Sequence, residues 1–237
     1  MREYSTTILI AAVIAFLATP IVRKFASKSG AVMKIRARDI HELPTPRWGG
    51  LALWVSVAIT LLIARNLPLV EKSFSRETLG IFVSATFILV LGMIDDRFDL
   101  DPLTKFAGQA LAAAILVLFG VQLLWLPING ILTLPPTIGQ ILTILFVMVV
   151  INAVNFVDGL DGLAVGLVAI SSLSFFAFSY LLAIENGYSR AGTASLMTAL
   201  VLGTCLGFLP HNFFPARIFM GDSGAMFLGL ILSASAI

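Results

Sequence analysis

Ile141-Leu-Thr-Ile-Leu-Phe-Val-Met-Val-Val-Ile-Asn-Ala-Val-Asn-Phe-Val-Asp-Gly-Leu-Asp-Gly162 decides how this chain is read. Its first half is one of several apolar stretches approaching the ~20 residues that cross a bilayer core. Its second half places Asn152, Asn155, Asp158 and Asp161 at three-residue intervals, beginning inside the apolar run. On a straight α-helix such a series drifts about 60° per step, so the four side chains cannot all face one cavity. Gly159 and Gly162 permit a break or a tightened turn there. Interrupted backbone at membrane depth is tolerated only where it lines a cavity or is buried in protein.

Outward from this stretch the composition agrees. The 237 residues are 59% hydrophobic and only 12% charged, with a mean hydropathy of +1.01. A soluble domain carries about 25% charge. The expected class is all-α: a polytopic transmembrane helical bundle with spans near 6–26, 49–67, 78–95, 104–120, 138–154, 163–184, 193–211 and 224 onward. The first apolar segment lacks a small-residue cleavage site and is expected to be a retained helix. Asn129-Gly130 between apolar residues predicts a small extracytoplasmic β-hairpin near 123–135. The last apolar run stops about 14 residues in, short of the ~20 a span needs, so residues 1–237 are expected to be a single integral membrane domain truncated at its C-terminus. A net charge of +2 is too small to argue for a nucleic-acid partner, no basic block of that kind is present, and none is expected. The lone Cys205 allows no internal disulfide. His41 and His211 have no zinc-ligand spacing around them.

Orientation follows from the basic residues. Arg23, Lys24, Lys28, Lys34, Arg36, Arg38, Arg47, Arg97, Lys105 and Arg217 share one side of the expected topology, ten of the fifteen Lys and Arg. That side is expected to be cytoplasmic, with the N-terminus outside. The same side receives Pro44-Thr-Pro-Arg-Trp-Gly-Gly50, Asp95-Asp96, the 152–162 stretch and Met220-Gly-Asp-Ser-Gly224.

Each cluster has an ordinary alternative. Asp95-Asp96 can end a helix as solvated residues, although two carboxylates at a helix C-terminus call for a compensating cation. Lys105 is either a helix salt-bridge partner of Asp101 or a phosphate ligand. Asp158-Gly159 and Asp161-Gly162 suit surface turns, but turn chemistry leaves Asn152 and Asn155 unexplained. Gly221-Asp-Ser-Gly224 can cap a helix through Asp222 or Ser223, or hold a metal near a helix N-terminus that itself favours phosphate. Carboxylates with amide oxygens point to Mg²⁺, or Mn²⁺, bridging substrate phosphates. With Lys and Arg beside them the set fits phosphoryl transfer. Intramembrane carboxylates also occur in secondary transporters, but those lie near mid-bilayer at repeat-related positions.

Asp95-Asp-Arg-Phe-Asp-Leu-Asp-Pro-Leu-Thr-Lys105, Asn152–Ala164 and Phe219-Met-Gly-Asp-Ser-Gly224, preceded by His41-Glu-Leu-Pro-Thr-Pro-Arg-Trp-Gly-Gly50, resemble in order the polyprenyl-phosphate N-acetylhexosamine-1-phosphate transferases. The resemblance runs from about residue 20 to the end, and the Pro44–Gly50 and Asp-Leu-Asp-Pro stretches look more like the WecA/TagO branch than the MraY branch. It implies 10–11 spans in a full-length chain of the plasma membrane, with a cytoplasmic active site. The implied reaction transfers N-acetylglucosamine-1-phosphate from UDP-GlcNAc to undecaprenyl phosphate, releasing UMP, at the first membrane step of cell-envelope polysaccharide or teichoic acid synthesis. The MraY branch would take UDP-MurNAc-pentapeptide instead. Carried onto this chain, the resemblance makes Asp222 the principal Mg²⁺ ligand and Asn155 the second. It sets Asp95 and Asp96 by the metal and diphosphate, one of them orienting or deprotonating the acceptor phosphate. Asp158 and Asp161 join the catalytic set, and with Asn152 they contact the nucleotide or organise the pocket. Thr45, Arg47 and Lys105 contact substrate, Lys105 through phosphate, while Asn212 and Phe219 flank the uridine. Homodimerisation is a family-level expectation. The family's His-rich motif belongs to a later cytoplasmic loop, beyond Ile237.

Overall fold

The computed structural model describes residues 2–32, 45–71, 73–126, 131–185 and 189–237. In chain order it has α1 (Arg2–Lys28), α2 (Gly49–Ala64), α3 (Pro68–Glu71), α4 (Arg76–Phe98), α5 (Pro102–Leu118), β1 (Trp125–Leu126), β2 (Leu132–Thr133), α6 (Pro136–Val157), α7 (Leu163–Glu185), α8 (Ser189–Asn212) and α9 (Gly221–Ala236). Each expected span falls on one of these helices. Five segments among the described residues are long and apolar enough to cross a membrane: α1, α4, α6, Leu163–Ala183 and Ala191–Asn212. The helices α2 and α5 are apolar but shorter. The expected hairpin exists as the antiparallel pair β1–β2, with Trp125 opposite Thr133 and Leu126 opposite Leu132. Its Asn129-Gly130 turn lies outside the described residues, as does His41–Pro44.

Helix α9 is the hub. It packs against α2, α4, α6, α7 and α8, and residues 223–235 are all buried. Outer helices split their surface instead. Along α1 the buried Tyr4, Thr7, Ala11, Ala15, Thr19, Val22 and Ala26 recur every three or four residues, whereas Leu9, Val13, Phe16, Leu17 and Ile21 are exposed. That is the pattern of a helix with one face on the bundle and one on lipid.

Where apolar lipid leaves no hydrophobic drive between helices, close backbone approach supplies the contact. Gly203 and Gly207 of α8 do this against α1. A Cβ at Gly203 would sit 2.8 Å from Ala11 Cβ, and one at Gly207 2.7 Å from the Ala12 carbonyl carbon. Ser56 Oγ donates to the Ala11 carbonyl oxygen at 2.7 Å and pairs with Thr204 Oγ1 at 3.0 Å, tying α2 into the same seam. Helix starts are set locally as well. Ser75 and Thr78 form a capping box at α4, and Asp101 caps α5 through the Thr104 amide and hydroxyl, with Pro102 in the first turn.

Candidate active site

The C-terminal ends of α4 and α6 and the N-terminal ends of α2, α5 and α9 meet at one end of the bundle. At their centre is Lys105. Its Nζ lies 2.6 Å from Asp95 Oδ2 and 2.7 Å from Asp222 Oδ1. Lys105 is thus the cross-bundle cation between two distant carboxylates, while Asp101, four residues earlier, is occupied in capping α5. The charge a pair of acids at the α4 C-terminus requires is supplied by α5.

Asp95 and Asp96 are buried in the last turn of α4, which runs on through Phe98 to a left-handed Asp99 at φ 50°. They are not a solvated stop signal. Asp95 Oδ1 accepts from the Leu100 amide at 2.9 Å, which leaves Oδ2 turned toward Lys105. Asp96 points the other way: Oδ1 accepts from the Asp222 amide at 2.9 Å and Oδ2 from the Ser223 amide at 3.1 Å. Asp222 occupies the first turn of α9, where the N-cap is Met220 and makes no side-chain cap. The capping role open to Asp222 or Ser223 on sequence grounds is therefore filled by Asp96 from another helix.

Helix α6 stays regular through Val157, and the interruption is the turn at 158–162, where Gly162 has φ +72°. Asn155 approaches the Asp222 carboxylate. Asn152, nearly one turn earlier, donates from Nδ2 to Gln109 Oε1 at 2.6 Å and to the Met148 carbonyl oxygen at 2.8 Å. Its partner Gln109 is buried on α5 one turn beyond Lys105. Asp158 follows α6 outside the apolar span. Burial, with the Asp222 and Asp96 carboxylates adding to it, pushes its carboxyl well above the usual carboxylate range, against the opposing charge of Arg47.

Asp161, Asn212 and Phe219 serve the loop before α9. Asp161 Oδ2 accepts from the Ala216 amide at 2.9 Å. Asn212, buried, accepts from the Gly162 amide at 3.2 Å and donates to the Ile218 carbonyl oxygen at 3.0 Å. Phe219 is half-buried; its amide donates to the Pro46 carbonyl oxygen at 2.8 Å, and its own carbonyl oxygen accepts from Gly49 at 3.0 Å. Gly50 donates to the Met220 carbonyl oxygen at 3.0 Å, so both opening donors of α2 are met by this segment. Thr45 is buried beside Pro46, and Arg47 is half-buried with its carbonyl oxygen against Gly221.

Sequence reasoning missed Gln109 and the backbone role of Ser223. A lone Gln four residues after Lys105 in an apolar helix was the available signal. Nothing in the sequence announces Ser223's amide.

The donor set suits a hard divalent cation. Asp95 and Asp222 already converge on one positive centre, the Lys105 ammonium, and the Asn155 amide lies against the Asp222 carboxylate. No group of three or more His, Cys, Asp or Glu able to hold a metal exists among the described residues. Mg²⁺ would need only one or two such carboxylates and would complete its shell with water and substrate phosphates.

Fold and site define a multi-pass helical membrane protein with a carboxylate–ammonium centre at one end of its bundle. The chain belongs to glycosyl transferase family 4, whose model matches residues 78–237. It is 44% identical, over 99% of its length, to a decaprenyl-phosphate N-acetylglucosaminephosphotransferase of Mycolicibacterium smegmatis, and covers 60% of that relative. Identity is 36% to a probable undecaprenyl-phosphate N-acetylglucosaminyl 1-phosphate transferase of Bacillus subtilis, over 91% of this chain and 57% of the relative. A phospho-N-acetylmuramoyl-pentapeptide-transferase of Desulforudis audaxviator is 32% identical, over 97% of this chain and 75% of the relative. The chain thus spans about three fifths of the length of the first of these.

Proposed function

We propose that this chain carries the catalytic centre of an enzyme that transfers N-acetylglucosamine-1-phosphate from UDP-GlcNAc to a polyprenyl phosphate, releasing UMP. The observation that carries the reading is the convergence of Asp95 and Asp222 on Lys105 across three helices. The greater identity to N-acetylglucosamine-phosphate transferases than to the pentapeptide-transferase supports the choice of sugar. Relatives name both decaprenyl and undecaprenyl carriers, and undecaprenyl phosphate is the carrier proposed here, feeding cell-envelope polysaccharide or teichoic acid synthesis.

In the reaction, an oxygen of the lipid phosphate attacks the β-phosphorus of the UDP-sugar. The bond from that phosphorus to the bridging oxygen breaks, and UMP leaves with the electron pair. The lipid phosphate is already largely ionised near neutral pH, so it needs little help from a base. Asp222 and Asn155 would hold Mg²⁺, with Asp95 beside it, and the ion would offset charge on the diphosphate. Lys105 exchanges part of its carboxylate pairing for a diphosphate oxygen, and Arg47 adds a second positive charge at the same end. Gln109 and Asn152 lock α5 to α6, the two helices that bring Lys105 and Asn155 to Asp222. We place the site on the cytoplasmic side, following the Lys/Arg asymmetry, with eight crossings in residues 1–237.

Membranes carrying the full-length protein, given radiolabelled UDP-GlcNAc, undecaprenyl phosphate and Mg²⁺, should form a lipid-linked sugar phosphate and UMP. UDP-MurNAc-pentapeptide should give none. Product from the pentapeptide donor alone would move the protein to the other branch.

A further inference from the structure

Asp96 is the acid of the cluster whose oxygens both face backbone. It is 7% exposed, and its carboxylate bridges the amides of Asp222 and Ser223 at 2.9 and 3.1 Å. The seat is tightly built. Gly221 has φ +71°, and a Cβ there would lie 2.7 Å from each Asp96 carboxylate oxygen. Gly92, one turn earlier on α4, leaves room for the same segment: a Cβ on it would lie 2.6 Å from the Ser223 amide nitrogen. Two successive turns of α4 therefore grip the first turn of α9.

The electrostatics favour this seat over a substrate-facing one. At the end of α4 a carboxylate is opposed by that helix's partial negative charge, but at the start of α9 it meets partial positive charge and unpaired N–H groups. Charge-assisted bonds to those groups are about twice as strong as neutral ones. Asp95 is placed differently, with one oxygen on Leu100 and the other on the Lys105 centre.

We propose that Asp96 is a positioning residue: by capping α9 from α4 it fixes where the Asp222 carboxylate points, and it neither ligates the metal nor touches the acceptor phosphate. This rests on Asp222 being a metal ligand, as proposed above. Asp96→Asn keeps the shape but turns an amide NH₂ or a neutral oxygen toward two donors. Losing one charge-assisted bond should speed hydrogen exchange at the Asp222 and Ser223 amides about tenfold. Asp95→Asn should leave exchange there at the wild-type rate.

The second readout is Mn²⁺ binding to the purified full-length protein in nanodiscs, followed by the spectrum of free Mn²⁺. Asp222→Asn should abolish binding, and Asp96→Asn should weaken it about tenfold, the share of one such bond spent on alignment. Unchanged exchange and unchanged Mn²⁺ affinity in Asp96→Asn, with turnover lost, would overturn the proposal and make Asp96 a substrate-facing group. Mn²⁺ binding that ignores Asp222→Asn would sink the metal assignment instead. The exchange measurement would still decide whether Asp96 caps α9.

Discussion

Replacing Lys105 by Met removes the ammonium and keeps most of the side-chain volume. What remains is Asp95, 5% exposed, facing Asp222 across the space that Nζ filled. Removing one partner of a buried pair costs about 3–5 kcal/mol, because the other is left charged and uncompensated. Here Lys105 and Asp222 retain 20% and 25% exposure, so the low end, about 3 kcal/mol, applies. For a chain of this length that is a fall in Tm of about 6–12 °C. Tryptophan fluorescence during heating in detergent reads it directly. Two companions check the cause. Asp95→Asn added to Lys105→Met should recover most of the loss, since it deletes the stranded charge. Saturating Mg²⁺ should raise the Tm of Lys105→Met more than that of wild type, because a divalent cation can replace the missing charge. A Tm within about 1 °C of wild type, outside the range any such loss allows, would refute the claim that Lys105 holds the site together. So would a double variant no more stable than the single one.

Gly50→Ala should destabilise by about 1–3 kcal/mol, the usual cost of overpacking, since the new Cβ would lie 2.6 Å from the Ser223 carbonyl carbon; a denaturation midpoint in detergent measures it. Asn152→Leu should cost more alone than when combined with Gln109→Leu, because alone it strands the buried Gln109 amide while the pair leaves none, and a double-mutant cycle on Tm reads the coupling. For Asp158, a folded-state carboxyl raised above its unfolded value means that its stabilising contribution is present at low pH and lost as pH climbs through the raised value. Melts run upward from the ordinary carboxylate range should fall for wild type and stay flatter for Asp158→Asn; parallel curves would contradict this.

The bundle was legible because lipid-facing helices must be apolar over their whole length, and that length is countable. The ends of α6 and α4 were equally readable, since Asn and Asp inside or beside an apolar run are costly and need a partner. Directions were not. Asp95 and Asp96 are adjacent in sequence and chemically identical, yet a helix rotates them about 100° apart, sending one to Lys105 and the other to α9's amides. Likewise, the Asn152–Asp161 spacing announced a polar stretch but not that Asn152 faces Gln109 and Asp161 faces the Ala216 amide. Those partners lie far along the chain, and only tertiary packing, such as α4 on α9 and α5 on α6, brings them within reach. Partners that are backbone amides, as at Ser223, leave no mark in the sequence at all.

The central claim is that these clusters form one phosphoryl-transfer centre built around Asp222. Its most direct test is transfer of radiolabelled N-acetylglucosamine-1-phosphate to undecaprenyl phosphate by membranes bearing the full-length protein, wild type beside Asp222→Asn. The account predicts Mg²⁺-dependent lipid-linked product and stoichiometric UMP from wild type, with at least a hundredfold loss in the variant, about what one transition-state electrostatic contact supplies. Equal product from both proteins would contradict it.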